Sequence, residues 1–412
     1  MIFKKDEKIY MKIVGILTEF NPFHSGHAYF LSEVRRKVGD ECALVCVMSG
    51  NFVQRGEPAL LEKHLRAEAA LRGGADLILE LPVARALSSA EGFAYGGVYL
   101  MQAAGAEVLA FGSECGDAAM PKQIAACLDS EEYRAILRRF LNRGLPFAAC
   151  RQAAVGQILG DDAAAHLDDA NNNLGVEYLK AARRLGWDCD VVTVPRRGAG
   201  HDSNAEEEYL SASALRQKML AGDWEAVCAA VPKAAAEEYR AAFERGYAPV
   251  TTAGAERLIL SRLRTMSEEA FAALPDCGEG LHHRLYKAAG AARSTEELLD
   301  MVKTKRYARA RLRRIVMCAF LGIDSAASAE LPAYLRVLGC NSRGRAVLAR
   351  LRGASALPVL VKPADVRTLS AAAQVQFERE AKATELYSLA RPSLEQAVPG
   401  AEWRTGPVVL SE

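Results

Sequence analysis

The chain has 412 residues, of which 50% are hydrophobic and 25% charged, and its formal net charge at pH 7 is +1. This length predicts two or three domains with a large core, and the composition is ordinary for a soluble globular enzyme. The near-zero net charge excludes a globally basic nucleic-acid surface, so any RNA-binding surface must be local.

The cysteines and the apolar stretches indicate the compartment. Ten cysteines are scattered along the chain without a Cys-x-x-Cys pair, which is typical of reduced thiols in a cytoplasmic protein. No apolar stretch approaches the length of a membrane span, and residues 1–10 are charged rather than signal-like. We therefore expect neither a membrane nor DNA as a partner. We assign residues 1–10 no role, because Met11 directly precedes the first predicted strand.

The first half of the chain alternates short apolar runs with helical patterns. The runs lack the two-residue alternation of a half-exposed strand, so they predict strands buried on both faces of a parallel sheet. We predict strands at Ile13–Leu17, Ala43–Met48, Leu77–Leu81, Val108–Phe111 and Asp190–Val194. We predict helices at Gly26–Lys37, Leu61–Gly73, Ser88–Ala104, Pro121–Leu141, Phe147–Gln157 and Asn173–Leu185, and one more from Ser213. This order predicts a doubly wound, Rossmann-like α/β domain that binds its ligand beyond the carboxyl ends of the strands.

The second half has a different composition. From about Asp223 onward Ala, Arg, Leu and Glu dominate, and strand patterns fade until Leu357–Val361. We therefore predict a ligand-binding sheet domain at residues 11–222, followed by a mainly helical domain with a small β element at residues 223–412.

The segment between the first predicted strand and the first predicted helix contains His24, Gly26 and His27. A strand, an Asn-Pro turn, a glycine and a helix start follow one another here, which favours binding of an anion such as phosphate by free backbone N–H groups. Two imidazoles three residues apart lie on one helical face and can donate hydrogen bonds to the same phosphate chain. The pattern resembles the His-x-Gly-His signature of the nucleotidylyltransferase superfamily.

Two other interpretations of these histidines exist. Each could be a satisfied structural residue, or the pair could be half of a metal site. A zinc site would need further ligands at close spacing, and the closest cysteines, Cys42 and Cys46, do not form such a motif. We therefore predict phosphate binding and no metal held by the protein alone.

Polar segments follow the other predicted strands, and the carboxyl ends of parallel strands lie at one edge of a sheet. The loop after the second strand offers donors for a carboxylate, a base or a phosphate. Its candidate residues are Ser49, Gly50, Asn51, Gln54 and Arg55. A surface turn with a solvated arginine is an equally good interpretation of this loop.

Further candidates follow the later strands. Those for nucleotide contacts are Gly112, Asn171, Asn172, Arg196 and Arg197, with helix capping as the alternative for the asparagines. Ser213 and Arg216 open the next helix and form a second anion cradle, suited to a leaving pyrophosphate. The alternative for this pair is a serine cap with a solvated arginine.

The densest charge run of the chain lies at residues 303–314, which hold seven basic residues and no acid. On a helix, Arg306, Arg309 and Arg313 would share one face. A solvated face normally mixes signs, so the run favours contact with an RNA phosphate backbone over a merely solvated face. The predicted tRNA-binding residues are Lys303, Lys305, Arg306, Arg309, Arg313 and Arg314.

Taken together, these segments resemble the bacterial tRNA(Met) cytidine acetate ligases. The resemblance is carried by the pattern NPFHxGH at residues 21–27 combined with MSGNFxQRGEP at residues 48–58, and it extends from Met11 to about Val375. It implies a two-step reaction. Acetate attacks the α-phosphate of ATP to give acetyl-adenylate and pyrophosphate. The N4 amine of the wobble cytidine in elongator tRNA(Met) then attacks the acetyl carbon and forms N4-acetylcytidine.

The resemblance also implies residue roles. His24 and His27 would be catalytic and stabilise the α-phosphate and its leaving group, with Mg²⁺ on the phosphates of ATP. The segment that would line ATP comprises Leu17, Thr18, Glu19, Phe20, Asn21, Pro22, Phe23, His24, Ser25, Gly26, His27, Ala28, Tyr29 and Phe30.

Two rival functions stay open at this point. A small-molecule adenylyltransferase acting on a phosphorylated vitamin precursor would leave the basic segment without a role. A non-enzymatic nucleotide- and RNA-binding protein would have no reason to retain His24, Gly26 and His27 together.

Overall fold

The structure, a computed structural model, describes residues 11–114, 116–143, 146–195 and 209–411. The strands of its main sheet and of one small hairpin are β1 (Ile13–Thr18), β2 (Ala43–Ser49), β3 (Phe52–Val53), β4 (Glu57–Pro58), β5 (Leu77–Leu81), β6 (Val108–Ser113), β7 (Asp190–Pro195), β8 (Leu335–Cys340), β9 (Val359–Leu360) and β10 (Val408–Val409). The main sheet has eight strands in the order β10-β8-β5-β2-β1-β6-β7, with β9 paired to β8, while β3 and β4 form the hairpin.

Helices cover both faces of the sheet and form most of the second half. Those up to the end of the first half are α1 (Ser25–Val38), α2 (Lys63–Arg72), α3 (Val83–Ala86), α4 (Ala90–Ala103), α5 (Ala119–Leu128), α6 (Glu131–Leu141), α7 (Phe147–Leu159), α8 (Asp161–Ala165), α9 (Ala170–Arg184) and α10 (Ala212–Leu220). The later ones are α11 (Trp224–Ala230), α12 (Lys233–Glu244), α13 (Glu256–Thr265), α14 (Glu268–Ala272), α15 (Leu281–Ala291), α16 (Thr295–Val302), α17 (Arg309–Leu321), α18 (Ser325–Ala329), α19 (Ser342–Leu351), α20 (Ala371–Leu389) and α21 (Ala401–Arg404). Two 3-10 helices lie at Pro363–Thr368 and Leu394–Gln396.

The five strands predicted from the apolar runs are all present and all parallel to their neighbours in the first half. Successive side chains of a strand point to opposite faces of the sheet, so each strand contributes side chains to two hydrophobic cores. Val14 and Ile16 of β1 pack into the core beneath α1, α2 and α10, whereas Ile13 packs into the core beneath α4 and α9. The predicted Rossmann-like sheet with helices on both faces is therefore confirmed.

The sheet is mixed rather than purely parallel, because β8 pairs antiparallel to β5. β9 and β10 then pair parallel to β8, so the second half of the chain extends the sheet as well as forming helices. Of these three strands, the sequence indicated only β9. β8 pairs with β5, which lies more than 200 residues earlier in the chain, and a local sequence pattern does not predict such a long-range pairing.

Several predicted helix boundaries differ from the structure, and three of the differences affect the argument. The predicted helix at Pro121–Leu141 is two helices, because Ser130 ends α5 by donating to the Cys127 carbonyl and begins α6 by accepting from the Tyr133 N–H. α9 begins at Ala170, before the predicted Asn173, with Asp169 at its N-cap position. The predicted basic helix begins only at Arg309.

A third core joins the helical part to the sheet. Helices α13, α15, α16, α17 and α20 surround it, and Phe52, Val83 and Leu87 enter it from the segments that follow β2 and β5. The carboxyl-end edge of the sheet is therefore covered by helices of the second half. Among the residues that the structure describes, none of the helices combines the length and the hydrophobicity of a membrane-spanning segment.

A buried charged cluster ties the end of the chain to this edge. The Lys63 ammonium lies 2.7 Å from a carboxylate oxygen of Glu80 and 2.7 Å from one of Glu402. The Arg336 Nε lies 3.8 Å from one carboxylate oxygen of Glu402. The Thr384 hydroxyl donates a hydrogen bond to the other carboxylate oxygen of Glu402 at 2.9 Å. Burial would raise the pKa of Glu402, but Lys63 and Arg336 outweigh burial and hold that pKa below its usual value.

We predict that Glu402→Ala lowers the free energy of unfolding by about 3–5 kcal/mol, because it leaves Lys63 and Arg336 buried with one carboxylate fewer. Urea unfolding followed by circular dichroism measures this change. Glu395→Ala, an exposed site near the same end of the chain, is the control and should change the value by less than about 0.5 kcal/mol. Equal effects of the two substitutions would contradict the structural role of the cluster.

Candidate functional site

The turn between β1 and α1 is held in an unusual backbone path. Phe20 has a φ of +46°, a region that bulky residues rarely adopt, and the Asn21–Pro22 peptide is cis. The Asn21 side-chain oxygen accepts from the Leu60 N–H at 2.9 Å, and the Arg216 guanidinium donates to the Asn21 carbonyl at 2.8 Å. Two distant segments therefore fix this turn, which leads directly into His24.

The two histidines cap α1 themselves. His24 is the N-cap residue, and its Nδ1 accepts from the Gly26 N–H at 3.1 Å. The Nδ1 of His27 accepts from the His24 N–H at 3.3 Å, and the two ring centroids lie 3.9 Å apart. Because an Nδ1 that accepts a hydrogen bond carries no proton, we assign both neutral rings the tautomer with hydrogen on Nε2.

This capping changes the predicted source of anion binding. The sequence predicted free backbone N–H groups at the start of α1. Instead, the Gly26 N–H is taken by the His24 ring, and the N–H groups of His27 and Ala28 donate to the His24 carbonyl at 2.9 and 3.2 Å. The start of α1 is therefore formed by two fixed imidazole rings rather than by unpaired backbone N–H groups, and the positive end of the helix dipole lies there.

Position 26 requires a glycine because the His24 ring leaves no room for a side chain there. A Cβ at this position would lie 2.9 Å from Cε1 and 3.1 Å from Nδ1 of His24, closer than side-chain atoms normally pack. Phe20 supports the second ring from below, with its centroid 5.0 Å from that of His27 in an edge-to-face arrangement. The spacing His-x-Gly-His thus follows from the packing of the rings.

The remaining predicted residues of this segment differ in exposure. The side chains of Phe20, Asn21, Pro22 and Phe23 are buried and support the turn from inside. The half-buried residues are Leu17, Thr18, Glu19, Ser25, Gly26, His27, Ala28, Tyr29 and Phe30. Tyr29 stacks on Tyr209, with ring centroids 5.9 Å apart, so the segment that leads into α10 lies beside the start of α1.

A buried arginine, which the sequence analysis missed, joins the ends of β1 and β2. The Arg66 guanidinium is fully buried and donates to the carbonyls of Glu19, Ser49, Gly50 and Leu61. Burial lowers its pKa. An arginine within an amphipathic helix gives no local signal that distinguishes such a clamp from a solvated side chain.

Glu19 connects the same two loops through its side chain. Its carboxylate accepts from the Gln54 N–H at 2.6 Å and from the Ser49 hydroxyl at 3.4 Å. Burial raises the pKa of Glu19, while the Gln54 hydrogen bond and the charge of Arg66 oppose that rise. The loop after β2 is therefore held against the turn that precedes His24.

The predicted acetate and cytidine loop divides into structural and accessible residues. Ser49, Gly50 and Asn51 are buried, and the Asn51 side-chain oxygen accepts from the Lys63 N–H at the start of α2. Gln54 is half-buried and Arg55 is exposed, so their side chains can reach a ligand.

Gly56 brings this loop against the helical part of the protein. It has a φ of +76°, and a Cβ there would lie 2.4 Å from the backbone nitrogen of Arg314. The loop backbone therefore packs directly on the backbone of α17. Any side chain at this position would separate the loop from the basic segment.

The later predicted residues form a second cluster. The Glu114 carboxylate accepts from the side chain of Asn171 at 2.5 Å and from the Asn172 N–H at 3.0 Å. Asn172 is buried, and its side-chain oxygen accepts from the Ser113 hydroxyl at 2.7 Å. Asn172 thus fastens α9 to the end of β6, whereas Asn171 and Gly112 are half-buried at the same edge.

The residues of the anion cradle predicted at α10 differ in exposure. Ser211 is the N-cap residue, and Ser213 in the first turn is exposed. Arg216 lies 3.6 Å from the Glu57 carboxylate and also contacts the Asn21 turn, and burial lowers its pKa. Arg216 therefore connects the turn before His24 with the loop after β2. Arg196 and Arg197 lie outside the described residues.

The basic segment is less positive in three dimensions than in sequence. Since α17 begins at Arg309, the prediction that Arg306 shares a helical face with Arg309 and Arg313 is wrong. A β-bridge between Thr304 and Tyr307 precedes the helix.

Acidic residues that are distant in sequence neutralise much of the segment. Arg309 forms ion pairs with Glu296 and Asp300. The Arg313 guanidinium lies 3.4 Å from a carboxylate oxygen of Glu296. The Arg306 guanidinium lies 2.8 Å from a carboxylate oxygen of Glu279. Arg314 is half-buried, and burial lowers its pKa. Lys303 and Lys305 are exposed and form no ion pair among the described residues.

The described residues offer no preformed metal centre. Within residues 11–114, 116–143, 146–195 and 209–411, no group of three or more His, Cys, Asp or Glu side chains is placed to hold a metal ion. What the edge of the sheet provides is a pair of imidazole donors, two fastened loops and Arg216. This arrangement suits a phosphorylated ligand.

Comparisons with known proteins agree with this geometry. The family described as HIGH Nucleotidyl Transferase matches residues 11–399. The tRNA(Met) cytidine acetate ligase of Caldanaerobacter subterraneus subsp. tengcongensis is 38% identical over 388 residues, which cover 92% of this chain and 96% of that protein. The enzyme of the same name from Syntrophomonas wolfei subsp. wolfei is 34% identical and covers 97% of this chain and 99% of its own length.

Solved structures give the same result. The apo crystal structure of Thermotoga maritima TmcAL superposes with a TM-score of 0.91 at 32% identity, covering 97% of this chain and 100% of that chain. The structure of TmcAL bound with alpha-thio ATP superposes with a TM-score of 0.90 at 31% identity. The chain therefore belongs to the HIGH nucleotidyl transferase family, among the tRNA(Met) cytidine acetate ligases, which confirms the resemblance seen in the sequence.

We predict that Gly26→Ala lowers the rate of ATP–pyrophosphate exchange by at least about 10-fold, because the added methyl displaces the His24 ring. Stability should not fall in parallel, since alanine favours a helix over glycine. Gly290→Ala is the matched control, because a Cβ there meets nothing within 4 Å. Full exchange activity in Gly26→Ala would contradict the requirement for a fixed ring.

Proposed function

We propose that this member of the HIGH nucleotidyl transferase family uses ATP and acetate to acetylate the wobble cytidine of elongator tRNA(Met). One observation carries the proposal: two imidazoles at the start of α1 are fixed by hydrogen bonds that their Nδ1 atoms accept, and their ring centroids lie 3.9 Å apart beside the carboxyl end of β1. The names of the relatives support acetate and tRNA(Met) as the substrates. The TmcAL structure with an ATP analogue supports ATP as the nucleotide.

The first step forms acetyl-adenylate. A carboxylate oxygen of acetate bonds to the α-phosphorus of ATP, and the bond from that phosphorus to the bridging oxygen breaks, so pyrophosphate leaves with the electron pair. Acetate is already ionised at neutral pH, so no general base is needed. The Nε2–H groups of His24 and His27 stabilise the charge that grows on the phosphate oxygens, and Arg216 adds a positive charge beside the turn.

The second step transfers the acetyl group. The N4 nitrogen of cytidine bonds to the carbonyl carbon, the bond between that carbon and the phosphate oxygen breaks, and AMP leaves with the electron pair. The N4 proton passes to solvent. The loop that carries Gln54 and Arg55 is held against the turn between β1 and α1 on one side and packs on α17 on the other, and we assign it to contacts with the acetyl group and the cytidine base.

Mg²⁺ is proposed as part of the nucleotide substrate. It favours phosphate oxygens and water over a cage made only of protein groups, which fits the absence of a carboxylate cluster among the described residues. We place the reaction in the cytoplasm, because the cysteines of the described segments are all free thiols.

We predict that the purified protein, given ATP, labelled acetate and transcribed tRNA(Met), yields N4-acetylcytidine detected by mass spectrometry of the nucleosides. His24→Ala and His27→Ala should each lower the rate by about 100-fold or more, since each removes a phosphate donor. His283→Ala, which alters an exposed histidine, is the control. Pyrophosphate release that does not depend on acetate would contradict the proposal and favour an adenylyltransferase for another small molecule.

We predict that the tRNA contacts of the basic segment are concentrated at Lys303 and Lys305, because Arg306, Arg309 and Arg313 are paired with acids. Lys303→Glu with Lys305→Glu should weaken tRNA binding and reduce the slope of log affinity against log salt by about 2, while ATP binding is unchanged. Filter binding at several salt concentrations measures this. Arg352→Glu with Lys362→Glu is the charge-matched control at exposed sites, and equal losses in both double variants would contradict a local interface.

A further inference from the structure

A row of buried polar side chains runs along one face of α20. The row has a member at every fourth position and comprises Gln376, Glu380, Thr384 and Ser388. Residues four apart lie one above the other on a helix, so the row is a single stripe. A helix normally buries apolar side chains, because a buried polar group requires a hydrogen-bond partner. The partners of this row therefore indicate what α20 does.

The first two members of the row bind backbone groups next to strand ends. The Gln376 Oε1 accepts from the N–H of Ala333, which lies two residues before β8, at 2.9 Å. The Glu380 carboxylate accepts from the N–H of Val83, which lies two residues after β5, at 2.9 Å. Because β8 runs antiparallel to β5, both N–H groups lie at the carboxyl-end edge of β5.

Thr384 binds the segment that follows the next strand. Its hydroxyl oxygen accepts from the side-chain amide of Asn51, which lies two residues after β2, at 3.3 Å. The order Gln376, Glu380, Thr384 therefore repeats the sheet order β8-β5-β2. Four helical residues rise by about 6 Å and neighbouring strands lie about 4.8 Å apart, so successive members of the row reach successive strand ends. α20 thus lies across the carboxyl-end edge of these three strands.

The hydrogen bonds at Thr384 have fixed directions. Burial opposes ionisation of Glu402, but the charge of Lys63 outweighs it and holds the pKa of Glu402 below its usual value, so this carboxylate only accepts. Thr384 therefore donates its one proton to Glu402, at 2.9 Å, and accepts from Asn51. The Asn51 Oδ1 accepts from the Lys63 N–H at 2.9 Å, and the Lys63 ammonium lies 2.7 Å from Glu402. The four residues form a closed ring that fixes the Asn51 amide.

Asn51 is also one end of a hairpin. Residues 51–59 contain β3, β4 and the turn between them, and we call them the β3–β4 hairpin. The Ala59 N–H donates to the Asn51 carbonyl at 2.9 Å and closes the base of the hairpin. The Tyr387 hydroxyl, one turn beyond Thr384, donates to the Ala59 carbonyl at 2.9 Å. α20 therefore binds both ends of the base.

We infer that Thr384 and Tyr387 are positioning residues for the acetyl end of the reaction, because they hold the base of the hairpin that carries Gln54 and Arg55. This inference rests on the proposed function, which assigns those two side chains to the acetyl group. Each strand of the hairpin has only two residues. Such a short hairpin is not stable alone, so the position of its turn depends on how its base is held.

A purely structural role is the competing interpretation of these contacts. If Thr384 only stabilises the fold, its loss lowers the fraction of active protein and therefore kcat, while each KM stays unchanged. If Thr384 positions the hairpin, its loss raises the KM for acetate in protein that is fully folded. The KM for ATP should stay constant, since Arg66 and Arg216 hold the turn before His24 independently of α20.

Four substitutions separate the two roles. Thr384→Val removes the hydroxyl at nearly constant volume, and Thr384→Ser retains it. Tyr387→Phe removes only the hydroxyl that binds the Ala59 carbonyl. Ser388→Ala is the matched control, because this buried hydroxyl of the same row donates to the Glu385 carbonyl of its own helix at 2.8 Å.

Three measurements apply to each variant. Acetate-dependent ATP–pyrophosphate exchange gives the KM values for acetate and for ATP. Amide hydrogen exchange, read by mass spectrometry of peptides that cover residues 51–59, reports how firmly the hairpin is held. The midpoint of urea unfolding establishes that the variant is folded under the assay conditions.

We expect Thr384→Val to raise the KM for acetate about 10-fold and Tyr387→Phe to raise it about threefold, with the KM for ATP within about twofold. Thr384→Ser and Ser388→Ala should both stay within about twofold of the unaltered protein. Hairpin amides should exchange at least about 10-fold faster in Thr384→Val. Tyr387→Phe, the milder change, provides the same comparison if Thr384→Val does not fold.

Three results would overturn the inference. The first is an unchanged KM for acetate in the folded Thr384→Val and Tyr387→Phe variants. The second is an equal rise in the KM for ATP, which would make α20 a general support of the site. The third is a Thr384→Ser variant with the same KM for acetate as Thr384→Val, because the hydroxyl would then be irrelevant.

Failure of the proposed function is distinguishable from these results. If the unaltered protein shows no acetate-dependent exchange, the proposed function fails, and amide exchange, which requires no activity, then decides the role of α20. Faster exchange of residues 51–59 in Thr384→Val but not in Ser388→Ala would support positioning of the hairpin. Equal exchange in the two variants would overturn it.

Discussion

The functional site depends on one constraint, the capping of α1 by its own histidines. A helix start leaves backbone donors without partners, and these are often satisfied by a serine or an aspartate. Here the ring nitrogens of His24 and His27 accept two N–H groups of this region. The same contacts fix the orientation and the tautomer of each imidazole. Helix capping and the fixed orientation of the two imidazoles are therefore a single structural feature.

The second constraint is the joining of loops that are distant in sequence. The buried Arg66 binds carbonyls at the ends of β1 and β2, and Glu19 accepts from the loop that contains Gln54. Gly56 then lets this loop pack on the backbone of α17. The β1–α1 turn, the loop after β2 and the helical part thus form a continuous chain of contacts.

Much of this architecture follows from local sequence. The strands buried on both faces of the sheet are short apolar runs, and His24, Gly26 and His27 lie between a predicted strand and a predicted helix, as the structure has them. The other contacts depend on partners that the sequence does not place. Arg66 has the pattern of an ordinary helical arginine, and β8 pairs with β5 only in three dimensions. The basic run at residues 303–314 lacks acids in sequence, but Glu279, Glu296 and Asp300 reach it from other segments. A run of like charges in the sequence therefore overestimates the positive potential of the folded surface when acidic residues from other segments pack against the run.

The tautomer of the two rings is the most direct test of the account. Nitrogen-15 NMR of the histidine-labelled protein, with assignments from single substitutions at positions 24 and 27, distinguishes a protonated Nδ1 from a protonated Nε2. At neutral pH and without nucleotide, both rings should carry their proton on Nε2 and have an unprotonated Nδ1. A proton on Nδ1 of either ring would contradict the capping arrangement and the phosphate contacts derived from it.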